Sequence, residues 1–186
     1  MPRYFLGRIK VEGFRGINNE ANPLDLKFSP DAVNSVFAVN AIGKSSLFDA
    51  LSYAIRGSVP RLDLLQLQER PSDYYCNRFH SKNQAKIELE FHPDDGSGNT
   101  VAICVERDSS GQRTVSSASG EPDPGSFLAR LNQDFALLDY RTFSRFIDDS
   151  PLERGRSFSM LLGLSAYSDA RQSLQTVSDT RNLNAV

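Results

Sequence analysis

The chain has few of the residues that build metal centres and disulfide frameworks. Among its 186 residues are only two cysteines, Cys76 and Cys104, and two histidines, His80 and His92, the thiols unclustered and the imidazoles scattered. This excludes a metal site made of clustered thiols and imidazoles. Cys104 falls inside the apolar run Val101-Ala102-Ile103-Cys104-Val105, where a thiol behaves as a small core hydrophobe. The histidines read as surface or strand-end residues. An excess of charge of one sign is also missing: 21 Lys and Arg face 23 Asp and Glu, for a formal charge of −2. No global basic field therefore announces nucleic acid or an anionic membrane, and any DNA contact must be local. No apolar run approaches the roughly 18 to 20 residues of a membrane helix, and no charged-then-apolar leader opens the chain. The expectation is a cytoplasmic protein without membrane contact, of a size that fits one domain or one lobe of a larger one.

What is present is an alternation of strand and helix signals. Residues 4–11 alternate and stop at Gly13, and residues 24–28 alternate strictly before Ser29-Pro30-Asp31. Residues 36–39 read as a buried strand. Residues 85–91, 100–106 and 112–117 read as three strands joined by Gly-containing loops, an antiparallel meander. Residues 58–80, interrupted by Pro60 and Pro71, read as a loop-rich insertion with a short helix. A polar loop with Pro122 and Pro124 precedes a helix over 126–134, and the run 135–140 reads as a buried strand. Ser150-Pro151-Leu152-Glu153 carries the cap, the first-turn proline and the third-position glutamate of a helix start, with the helix running to about Leu162. Beyond it, Tyr167, Ala170, Leu174 and Val177 fall at three- and four-residue steps. Such a seam suits either a coiled coil or an amphipathic surface helix.

The stretch Val36-Phe37-Ala38-Val39-Asn40-Ala41-Ile42-Gly43-Lys44-Ser45-Ser46 reads as strand, tight loop and first helical turn. The helix should run from Lys44 to about Arg56, with Gly57 as a left-handed C-cap. Unpaired N–H groups and the helix dipole favour an anionic phosphate at its start. Lys44 would reach the outer phosphates and the Ser45 hydroxyl would ligate a bridging Mg²⁺, so ATP or GTP is the expected ligand. In the pattern G-x-x-x-x-G-K-[ST], Ala38 replaces the first glycine. A Cβ at Ala38 or Ala41 would crowd the path of a phosphate-binding backbone. An ordinary strand-to-helix turn with a solvated lysine is the alternative.

The stretch Val39-Asn40-Ala41-Ile42-Gly43-Lys44-Ser45-Ser46-Leu47-Phe48-Asp49-Ala50-Leu51 resembles the P-loop, or Walker A motif, of SMC-like ATPases, the ABC-type heads of the SMC, RecN and RecF group. Ala38 and Ala41 stand at two family glycines, whereas Asn40 and Asp49-Ala50 fit. The opening strand and its Phe-Arg element are matched by Ile9-Lys10-Val11-Glu12-Gly13-Phe14-Arg15-Gly16. The resemblance implies an α/β fold: the amino-terminal lobe of a P-loop NTPase head over 1–165, then a helix entering a coiled coil over 166–186. It implies ATP and Mg²⁺ as cofactors, held by Asn40, Ala41, Ile42, Gly43, Lys44, Ser45 and Ser46. Arg15 would lie beside the nucleotide, where a guanidinium can fork two phosphate oxygens, or else be a surface turn residue. Arg56, Arg61, Arg70 and Arg78 become candidates for acting across a dimer, with surface arginines as the alternative.

The same resemblance places Tyr140 where relatives often carry a Mg²⁺-sensing Gln. Asp139 either supplies a metal oxygen instead or ends a strand with no metal. Residues 101–105 are followed by Glu106-Arg107-Asp108 rather than the Asp-Glu of a Walker B strand, and no Leu-Ser-Gly-Gly-type signature occurs. Asp94-Asp95 lacks the ligand spacing of a calcium loop. The chain thus corresponds to half a head, binding nucleotide without catalytic residues of its own. Hydrolysis would require the carboxy-terminal half and a second head in a homodimer. The implied partners are those two, DNA, and a nuclease or effector subunit, in DNA repair, genome maintenance or antiviral defence. A scaffolding module with an eroded loop is the alternative. A P-loop kinase or GTPase would need an acceptor site or an Asn-Lys-x-Asp motif, neither of which is found.

Overall fold

The computed structural model of the chain describes residues 3–30, 32–39, 42–60, 62, 74–94, 98–132, 136–138, 144, 147–161 and 164–178. The chain divides into two units, Met1–Leu131 and Asn132–Val186. The first unit holds β1 (Tyr4–Glu12), β2 (Leu24–Lys27), α1 (Lys44–Arg56), β3 (Ala85–Pro93), β4 (Val101–Arg107), β5 (Arg113–Ser117) and α2 (Pro124–Leu131). The five strands form one antiparallel sheet in the order β2-β1-β3-β4-β5.

Strand alternation sorts the sheet into two faces. Ile9 pairs with Leu26 and Leu89, and Leu89 with Ile103; Val11 pairs with Leu24 and Ile87, and Ile87 with Val105. These rows share one face with Phe91 and Val101, and the core forms where Ala50, Tyr53 and Ala54 of α1 and Phe127 and Leu128 of α2 join them. The opposite face is a ladder of alternating charge. Arg8 bridges Asp25 at 2.6 Å and Glu90 at 3.3 Å, Lys10 bridges Glu88 at 3.3 Å, and Lys86 bridges Glu88 at 2.9 Å. Arg8 stands directly opposite Glu90 and Lys10 directly opposite Glu88, and opposite charges so placed stabilise a solvated face. Asp25 and Glu90 together offset the like-charge pair there, Arg8 opposite Lys27.

Cys104 lies on that charged face, not in the core, because β4 turns Val101, Ile103 and Val105 inward and Cys104 outward. Partial burial there pushes its thiol up to about 11, and burial raises Cys76 as well. Alkylation of Cys104 by iodoacetamide at pH 8 should therefore be slow and should quicken about tenfold per pH unit up to pH ~10. A rate that levels off near pH 9 would contradict the placement. His80 is likewise a correction: it is buried, with Nε2 3.4 Å from Glu12 Oε1. His92 is half-buried near the end of β3.

Three further segments differ from what their composition predicts. Residues 36–39 form no strand, and Val36, Phe37 and Val39 are exposed, Phe37 by 98%. An apolar run becomes a buried strand only where a neighbouring strand completes its hydrogen bonds, and this run pairs with neither sheet edge. The helix expected over 126–134 begins earlier, at Pro124, since a proline fits the first turn and Asp123 Oδ1 accepts from Ser126 N at 3.0 Å. Residues 136–138 form no strand, although Leu137 is buried; Phe135 and Tyr140 lie outside the described residues.

The second unit contains α3 (Pro151–Leu161) and α4 (Ser165–Ser178), which pack against each other. The start of α3 is a capping box: Glu153 N donates to Ser150 Oγ at 3.4 Å while Ser150 N donates to Glu153 Oε2 at 3.3 Å. Tyr167, Ala170 and Leu174 are exposed on α4. No described helix is long and apolar enough to cross a membrane.

Candidate nucleotide site

The site is built around the first turn of α1. Gly43 takes φ 101°, ψ 15°, a left-handed conformation open to glycine, and reverses the chain into the helix. No side chain caps this end and no acidic residue occupies the first turn. The positive end of the helix dipole is therefore not neutralised from within. Gly57 closes the helix as expected, with φ 80° and its N–H donating to Tyr53 O at 2.9 Å.

Lys44 folds back over the loop, its ammonium donating to the carbonyls of Ala38 and, at 2.8 Å, Val39. Ala38 keeps an ordinary negative φ: among described non-glycine residues, positive φ is confined to Arg15, Asn19, Ala21 and Asn83. The substituted first glycine thus imposes no left-handed strain, while the glycine that the turn needs, Gly43, is retained. Ser45 and Ile42 are exposed. Asn40, Ala41, Arg61, Arg70 and Asp139 lie outside the described residues. Arg78 stacks over its neighbour Phe79 at 5.5 Å, and Arg56 sits half-buried in the last turn of α1.

Ser46 points inward instead. It is buried, and its Oγ accepts from Gly16 N at 3.1 Å. A Cβ at Gly16 would stand 2.9 Å from that oxygen, so glycine is what lets the Arg15-Gly16 turn lie against the first turn of α1. Arg15 follows the same turn, and its Nε lies 2.8 Å from Oδ2 of Asp49, a carboxylate with 4% exposure on the inner face of α1. Its Nη1 donates to Tyr74 O at 3.4 Å. The backbone of Arg15 is itself left-handed, φ 51°, which costs a non-glycine residue on the order of 1 kcal/mol. Contacts on both sides hold it: its N–H donates to Tyr75 O at 2.9 Å, and its carbonyl accepts from Asn77 Nδ2 at 2.5 Å.

The geometry gathers two cations, Lys44 and Arg15, on the turns that flank an uncapped helix start. Sequence reasoning missed Ser46 as a docking residue and Asp49 and Asn77 as partners of Arg15. The sign was present for Asp49. Positions 46, 49, 50, 53 and 54 of α1 are buried at helical spacing, and a carboxylate at such a position requires a paired cation.

The AAA domain family matches residues 8–179 of the chain. Among curated proteins, none matches the sequence significantly. Of the solved structures with a similar fold, one from work on ATP-driven dimerization and DNA stimulated activation of SMC ATPases has a TM-score of 0.64 at 19% identity. The match covers 84% of this chain and 99% of that one. An Smc head domain with a coiled coil and joint from Pyrococcus yayanosii gives a TM-score of 0.64 at 17% identity over 98% of this chain. The recombination mediator protein RecF with ATP, of the RecFOR pathway, gives 0.54 at 17% identity over 98% of this chain. The matched regions are 37% of that Smc chain and 46% of that RecF chain. The chain belongs to the AAA domain family and has the α/β fold of the amino-terminal half of an SMC-like ATPase head.

Proposed function

We propose that the chain is the ATP-binding half of a head that dimerises on ATP and acts on DNA, in repair, genome maintenance or defence. The observation that carries this reading is the uncapped start of α1, with Gly43 left-handed, Lys44 behind it and Arg15 beside it. Bound ATP would place its phosphates at the N–H groups of residues 43–46, with Lys44 exchanging the Ala38 and Val39 carbonyls for phosphate oxygens. Mg²⁺ would supply charge neutralisation for the phosphates, and the exposed Ser45 hydroxyl would hold it, with Asp139 as the second candidate. Asn40, Ala41 and Ile42 would line the loop.

Two exposed apolar features support the need for further chain. Val33, Val36, Phe37 and Val39, within residues 32–39, and Ile42 just before α1 are exposed. Apolar exposure at several neighbouring positions marks an interaction surface, and the carboxy-terminal half of the head is the partner that fits. Tyr167, Ala170 and Leu174 on α4 leave a seam for a second helix, in keeping with residues 166–186 as the start of a coiled coil. A nuclease or effector subunit would join such an assembly in the cytoplasm. The same exposed stretch also suits a nucleotide-free scaffold. Light scattering on the head reconstituted from both halves decides between them. Mg²⁺-ATP should double the mass of the wild-type head and leave Lys44→Ala monomeric. A mass unchanged by ATP in both would favour the scaffold.

A further inference from the structure

Arg15 is held more tightly than a turn residue requires. Its backbone is left-handed, a conformation that persists in a non-glycine residue only where the surroundings over-determine it. Here the surroundings do so from three directions. Asp49, at 4% exposure, lies 2.8 Å from Nε; Tyr75 O accepts from the Arg15 N–H at 2.9 Å; and Asn77 Nδ2 donates to the Arg15 carbonyl at 2.5 Å. The segment that supplies Tyr75 and Asn77 is itself fixed. Cys76 bridges Phe14, Asn77 N donates to Gly13 O at 2.7 Å, and the Tyr75 ring packs on Tyr53 of α1 at 4.9 Å with the Arg107 guanidinium over it at 4.8 Å. The next residue, Gly16, donates to Ser46 Oγ in the first turn of α1. Residues 74–77, α1 and the sheet thus converge on one arginine beside the helix start.

We propose that Asp49 and Asn77 are positioning residues for Arg15, orienting its guanidinium toward the phosphates of a nucleotide at the start of α1. The inference rests on the nucleotide reading above and adds the residues through which Arg15 is set. Asp49 holds the charged end of the side chain through the ion pair at Nε, and Tyr74 O accepts from Nη1 at 3.4 Å. Asn77 fixes the backbone that aims it. A charge held in place before the ligand arrives binds without the ordering cost of a flexible arginine.

The test is a double-mutant cycle on Mg²⁺-ATP affinity, measured calorimetrically on the head completed by its carboxy-terminal half. Asp49→Asn keeps the side-chain shape and removes the charge, and Asn77→Ala removes one hydrogen bond. Each should weaken binding roughly tenfold, as loss of a supporting partner does. In an Arg15→Gln background each should weaken binding less than twofold, because the group they act through is gone. A merely structural role would lower affinity by the same factor in both backgrounds, and that result, or wild-type affinity in both variants, overturns the proposal. If Asp49→Asn does not fold, Asn77→Ala carries the same cycle. Lys44→Ala separates the two readings. Binding that is lost in Lys44→Ala but unchanged by Asp49→Asn and Asn77→Ala defeats the positioning role alone. No binding by the wild type defeats both.

Discussion

Tyr53→Ala should destabilise the protein by about 3 to 5 kcal/mol, as truncation of a large buried aromatic does. Tyr53 is 2% exposed and sits where three elements meet. Its ring lies 5.5 Å from Phe14 and 4.9 Å from Tyr75, and Arg113 stacks over it at 5.8 Å. Each aromatic pair contributes about 0.5 to 1.5 kcal/mol beyond its buried area, and truncation leaves a cavity that rigid strands cannot fill. Arg113 adds to the damage, since it also donates from Nη2 to the Ala54 carbonyl at 2.8 Å, near the end of α1. For a domain of this size the melting midpoint should fall by roughly 10 °C. Tyr53→Phe gives the control. It loses only the 3.4 Å contact with Arg107 Nη1 and should cost under about 1 kcal/mol. A loss in Tyr53→Ala no larger than in Tyr53→Phe would mean that α1 is not anchored to the sheet through this cluster.

Lys44→Ala should weaken Mg²⁺-ATP binding by roughly a hundredfold or more, equivalent to about 2.8 kcal/mol, while leaving the fold nearly untouched. Charge-assisted hydrogen bonds to phosphate are worth about 1.5 to 3 kcal/mol each, and an ammonium can make several. The folded protein loses far less. Lys44 is only partly buried, and its partners, the Ala38 and Val39 carbonyls, lie on a loop at the surface that water can reach. The melting midpoint should therefore move by no more than ~3 °C. A variant that melts much earlier would show that the lysine braces the loop, and its binding defect would then say little about phosphate.

Much of this was legible in the chain. Period-two alternation placed β1, β2 and β3, a nearly continuous apolar run placed β4, and Gly43 and Gly57 bracketed α1 to the residue. The Ser150–Glu153 box placed the start of α3. Failures came where a residue's fate depends on a neighbour distant in sequence. The run 36–39 has strand composition, but composition cannot supply the adjacent strand, and the residues stand exposed. Cys104 lies in a run apolar enough to be buried on both faces, yet the residues opposite it across the sheet belong to a charged ladder, so it faces outward. Pro124 reads as a loop residue in sequence because its missing N–H is harmless only at a first turn, and the cap that makes it one is Asp123.

The candidate site was legible in a similar pattern. Gly43, Lys44 and Ser45 could be read from their order alone, because their chemistry is local to one turn. The pairing of Arg15 with Asp49 spans two elements, and only the inward spacing of Asp49 on α1 pointed to it. Ser46 follows the Gly43-Lys44-Ser45 pattern in sequence, but that its hydroxyl accepts from Gly16 N and docks the Gly16 turn depends on a residue thirty positions away.

The most direct test of the nucleotide site is a calorimetric titration of Mg²⁺-ATP into the head made of this chain and its carboxy-terminal half, with Lys44→Ala alongside. The account predicts micromolar binding at one site per chain in the wild type, dependent on Mg²⁺ and lost in Lys44→Ala. Heat that is absent from both proteins, or the same in both, would contradict it.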